Sequence, residues 1–80
     1  MPSGPQIRAA RALLGMSAQD LAQLSEVGWA TIQRYEATVG VPKGKADKLE
    51  QVVRALEAAG IEFLGDPEAS PGVRLRPRRR

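Results

Sequence analysis

Eighty residues, 42% of them hydrophobic, suffice for one small core and leave no room for a second domain. With no cysteine and no histidine there is no disulfide staple, no zinc cluster and no Cys or His nucleophile or base. The formal charge of +3 is uneven: residues 74–80, RLRPRRR, hold five of the nine arginines and no acid, leaving 7 basic and 9 acidic groups, a net −2, on residues 1–73.

The first predicted element is PQIRAARALLG, in which Pro5 suits the opening turn of a helix and Gly15 its end. Ile7, Ala10 and Leu14 share one face with Leu13 beside them, and Arg8 and Arg11 lie three apart on another. Ser17 opens a second helix, SAQDLAQLS, with Asp20 at the capping-box position, Leu21 and Leu24 as inward candidates and Ala22 small enough for close packing. A break at Ser25-Glu26-Val27-Gly28 precedes the short helical stretch WATIQRYE. So tight a connection makes the two helices cross steeply, the geometry of helix-turn-helix units.

After the irregular loop ATVGVPKG, the residues Ala46, Leu49, Val52, Val53, Leu56 and Ala59 recur at helical spacing between Lys45 and Ala59, the longest predicted helix. Gly60 ends it. Ile61 to Leu64 then have strand composition, GDPEASPG is rich in turn residues, and Val73-Arg74-Leu75-Arg76 alternates as a strand does. A hairpin of this length is marginal alone and needs a surface or a partner chain. The fold class is therefore mainly α, with a helix-turn-helix domain over 1–60, a C-terminal β-hairpin or strand over 61–76 and a disordered basic tail over 77–80. No signal peptide or apolar run near 18 residues is present, so a soluble cytoplasmic protein without a membrane partner is expected. A core of this size rarely contributes more than about 3–5 kcal/mol, and association between copies is expected to add to it.

Leu14-Gly15-Met16-Ser17, Asp20-Leu21-Ala22, Val27, Ala30-Thr31-Ile32 and Glu36, in that order and spacing, resemble the Cro/C1-type (XRE-family) helix-turn-helix regulators of bacteria and phages. With the flanking helices the resemblance covers roughly residues 5–60, and the ending ALEAAGIEFLGDPEASPGVRLRP is similar to that of short stand-alone members. It implies a four- to five-helix lambda-repressor-like domain, a recognition helix over 29–36 with base-reading positions near Trp29, Ala30, Gln33 and Arg34, and a homodimer on an inverted repeat of double-stranded DNA. Three positions depart from the family pattern. Ala18 replaces a backbone-holding glutamine, a contact that is either lost or taken over by Gln19; Glu26 stands where glycine is usual; and Gly28 replaces a capping Ser or Thr.

Elementary chemistry gives the same segment a role. Val27 and Ile32 point inward, which leaves Trp29, Ala30, Gln33 and Arg34 at the exposed face for a groove about 12 Å wide. Arg34 is read as a two-bond donor to a guanine edge, or as a solvated charge beside an acid, and Gln33 as a partner for adenine or phosphate. Trp29 is either a core anchor or an apolar contact for a thymine methyl, Tyr35 either core or a phosphate donor, and Glu36 a structural partner of a backbone group or an arginine. Lys43 and Lys45 flank the start of the last helix, where the dipole favours phosphate. Arg8 and Arg11 stand between phosphate contact and plain solvation. The expected DNA-binding set is thus Gln19, Gly28, Trp29, Ala30, Thr31, Gln33, Arg34, Lys43 and Lys45, and the expected dimer contact Ile61, Phe63, Leu64, Val73 and Leu75. No catalytic group, metal or cofactor is implied: there is no Gly-rich phosphate loop, and Asp66 and Glu68 read as solvated turn residues. Two rival readings stand beside the regulator. One is an antitoxin or adaptor-type interaction module that grips a second protein through residues 61–76; the other is RNA binding by the arginine tail, which lacks interleaved aromatics.

Overall fold

Ser3 starts the first helix rather than Pro5. Its hydroxyl accepts from the Gln6 amide at 3.3 Å while Gln6 Oε1 accepts from the Ser3 amide at 2.8 Å, a complete capping box for α1 (Gly4–Leu13). The computed structural model describes residues 1–44 and 46–76; Lys45 and the expected disordered tail at 77–80 lie outside the described residues. After α1 come α2 (Ala18–Ser25), α3 (Trp29–Ala37), α4 (Ala46–Ala58), β1 (Ile61–Leu64) and β2 (Gly72–Leu75). The chain is mainly helical, with four helices and one antiparallel two-stranded sheet among the described residues.

Each helix contributes one stripe to a single core. Ile7 and Ala10 of α1, Leu21 of α2, Val27 ahead of α3, Ile32 and Tyr35 within it, Leu49, Val52 and Leu56 of α4, and Ile61 of β1 are all buried together. Leu24, expected to face inward, is instead 49% exposed. The inward position one residue later is taken by Ser25, which can be buried because its hydroxyl donates to the Leu21 carbonyl at 2.7 Å. Leu13 likewise points outward, away from the stripe of Ile7, Ala10 and half-buried Leu14. Gly15 and Gly60, at φ +68° and +109°, end their helices as their positions predict.

Two contacts tie the chain's ends to the centre. The start of α1 crosses the end of α3 so closely that a Cβ on Gly4 would collide with the carbonyl oxygens of Tyr35 and Thr38, and the Gly4 amide donates to the Gly40 carbonyl at 3.0 Å. At the other end Gln6 Nε2 donates to the carbonyls of Leu64 at 3.0 Å and Gly72 at 2.9 Å. These two residues are opposite partners at the turn end of the hairpin, whose register also pairs Ile61 with Leu75, Glu62 with Arg74 and Phe63 with Val73. The hairpin therefore packs on α1 and α4 instead of standing free.

Candidate nucleic-acid interface

The segment between α2 and α3 is only Glu26, Val27 and Gly28. Glu26 takes the left-handed conformation, φ +60° and ψ +31°, which reverses the chain at the end of α2. The reversal lets the Val27 amide donate to the Ala22 carbonyl at 3.2 Å and buries the Val27 side chain. Gly28 caps α3 without a side-chain hydrogen bond, as the missing Ser or Thr implies.

At the start of α2 the box is reciprocal. The Ser17 amide donates to Asp20 Oδ2 and the Asp20 amide to Ser17 Oγ, both at 3.0 Å. The amide of Ser17, and then its hydroxyl, hold the Asp20 carboxyl below its usual range. Gln19 stands exposed in this first turn.

α3 divides cleanly. Ile32 and Tyr35 are buried, whereas Trp29 is 50% exposed and Ala30, Gln33 and Arg34 are exposed, with Thr31 intermediate. The Arg34 guanidinium lies over the Tyr35 ring, 5.7 Å from its centre, and makes no ion pair with any described carboxylate. Tyr35 is thus a core residue. Lys43 is exposed beyond the end of α3; Lys45 lies outside the described residues, so the expected pair of lysines at α4 has one described member.

The orientation of α3 is set from α1. Arg11 Nε and Nη2 reach the two carboxylate oxygens of Glu36 at 2.8 and 2.9 Å, and Nη1 donates to the Met16 carbonyl at 3.0 Å. The bond to Glu36 raises the Arg11 pKa above its ordinary value, against the opposing effect of burial. Glu36 is accordingly a structural partner of an arginine, and Arg11, read as a phosphate contact or a solvated charge, instead spends three of its five N–H donors and its charge inside the domain. Arg8, three residues earlier, is exposed and without such a partner among the described carboxylates. Arg8, Arg11, Gln33, Glu36 and Ala37 line an open cleft of about 260 Å³ between α1 and α3.

No family model matches the chain, and no curated protein matches it at a significant level.

Of the five residues expected to join two copies, Ile61 is corrected to a core residue at 3% exposure. Phe63 and Val73 pack partly buried against the same core, because opposite residues of an antiparallel pair share a face. Leu64 and Leu75 stay exposed at 38% each. On the outer face Arg74 bonds Glu62 and Arg76 reaches it at 2.6 Å, and these contacts, with the Arg74 hydrogen bond foremost, depress the Glu62 carboxyl. The Ser3–Gln6 hub was not singled out from sequence, although Ser-x-x-Gln just ahead of an apolar helix is its signature. Among the described residues no helix is long and apolar enough to cross a membrane, and no group of acidic residues is placed to hold a metal.

Proposed function

We propose that the chain is a sequence-specific regulator that binds double-stranded DNA, with α2 and α3 acting as a Cro/C1-type helix-turn-helix and α3 entering the major groove. The observation that carries this reading is the division of α3. Its inner face is anchored by Ile32, Tyr35 and the Glu36–Arg11 pair, while Trp29, Ala30, Gln33 and Arg34 form an outer face left open to a ligand. Anchoring matters because base readout needs a helix held at a fixed angle to the groove, not one that rolls. On that face Arg34 reads a guanine edge, Trp29 offers an apolar edge to a thymine methyl, and exposed Gln19 and Lys43 hold the backbone on either side.

Regulation of an inverted repeat calls for two copies. The hairpin has the chemistry for this: the Arg76 amide donates to the Gly60 carbonyl at 2.8 Å, so by alternation the amides and carbonyls of Val73 and Leu75 point away from β1. Antiparallel addition of β2 from a second copy would give a four-stranded sheet with twofold symmetry and half-sites about one helical turn apart.

Selection of bound duplexes from a random pool tests the reading. The wild-type chain is expected to enrich a twofold-symmetric sequence, and Arg34→Ala to relax one base position in each half at a cost of about 1–3 kcal/mol. A pool without any enriched sequence would remove specific regulation and favour the interaction-module reading.

A further inference from the structure

We infer that the cleft between α1 and α3 seats a backbone phosphate of the bound duplex, held by the Arg8 guanidinium and the Gln33 amide. This rests on α3 being the DNA-facing helix. Four features of the cleft carry it. Arg8 and Gln33 are both exposed and both line it. Arg11 and Glu36, which also line it, are joined in a two-bond pair, so their charges cancel and the uncompensated charge of the lining is that of Arg8. Ala37 contributes no side chain beyond a methyl group. At about 260 Å³ the cleft has room for several water molecules, and so for an anion with the sugars that flank it.

The chemistry fits a phosphodiester better than a base edge. A guanidinium presents paired N–H donors that match two phosphate oxygens, and a neighbouring amide N–H₂ adds a third donor without adding charge. Placement agrees as well, because Gln33 sits on the side of α3 that faces α1, at the rim of the exposed face and not at its centre. Gln33 is thereby assigned to position the helix, and Arg34 and Trp29 are left to choose the sequence. Contacts of the first kind set register and affinity, and those of the second kind set preference.

The test measures duplex affinity over a range of salt for the full chain and four variants. Arg8→Ala should reduce the steepness of log K against log salt by about 0.9, with Arg8→Lys restoring it and base preference unchanged in both. Gln33→Ala should weaken all duplexes alike, whereas Arg34→Ala should relax one base position. Arg8 is exposed on a helix, so alanine there is expected to keep the thermal midpoint; Arg8→Gln replaces it if it does not. An unchanged salt slope in Arg8→Ala or a relaxed base position in Gln33→Ala would each overturn the inference while leaving α3 as the reader. A wild-type chain that binds no duplex would overturn both.

Discussion

Glu26 is the one residue other than glycine with positive φ among the described residues, at a position where a Cβ costs about 1–2 kcal/mol. Glu26→Gly is therefore expected to stabilise the free protein by about 1 kcal/mol, raising the thermal midpoint by about 4–8 °C. An unchanged or lowered midpoint would mean that the turn carries no strain. The Arg11–Glu36 pair makes the opposite prediction. Its side chains are 21% and 9% exposed, so Glu36→Ala leaves a largely enclosed guanidinium without its carboxylate, and urea unfolding should register a loss of about 2 kcal/mol. At this scale much was legible. Val27 and Ile32 follow from the amphipathic pattern around the turn, Tyr35 stays open between core and phosphate contact, Glu36 comes with the family resemblance, and the αL cost at Glu26 follows from its position in that resemblance. What spacing alone does not separate is Arg8 from Arg11, since the difference lies in Glu36, 25 residues away from Arg11, which bonds only one of them. Leu24 misled for a related reason: a serine whose hydroxyl bonds back to its own helix can occupy an inward position that hydropathy assigns to leucine.

Among the elements, the hairpin depends most on a single side chain. Gln6 completes the cap of α1 and bonds both strands, so Gln6→Ala should cost about 2–3 kcal/mol and accelerate amide exchange in β1 and β2 more than in α4. Uniform acceleration would contradict the clamp. Truncation after Gly60 removes buried Ile61 as well as both acceptors of Gln6, and is expected to unfold the helices, not merely to separate copies. The strands themselves were readable, β1 from its composition and β2 from its alternation. Their inner partner was not, because a two-residue period says which residues share a face and says nothing about what covers it. Three carboxyls are held by local partners: Asp20 at the start of α2 through Ser17, Glu62 across the hairpin through Arg74, and Asp66 in the turn through the amides of Ala69 and Glu68. All three have folded pKa values below their ordinary ones. Their contribution is whole above the ordinary carboxyl range near 4 and is lost as pH falls through the lowered folded values, so the denaturant midpoint should hold from pH 7 to about 5 and decline below about 4.

For the whole molecule, net charge is a poor guide to where a polyanion would sit. Residues 1–73 carry a net −2, yet within them Arg8, Arg34 and Lys43 are free of ion pairs among the described carboxylates while Arg11 and Arg54 are engaged. Pairing, which only the fold decides, determines which cations of the net-acidic residues 1–73 are left without a carboxylate partner among the described residues. The proposed dimer is tested separately. Leu75→Pro removes one outward donor and no bond of the β1–β2 ladder, so sedimentation should find the wild type dimeric and the variant monomeric and folded. The central proposal, that the outer face of α3 meets the duplex, has a probe built into the chain. Trp29 is the sole tryptophan, stands at the first position of α3 and is 50% exposed. Acrylamide quenching of its fluorescence should fall as an enriched duplex is titrated to saturation; a duplex that saturates the protein with quenching unchanged would place the interface elsewhere.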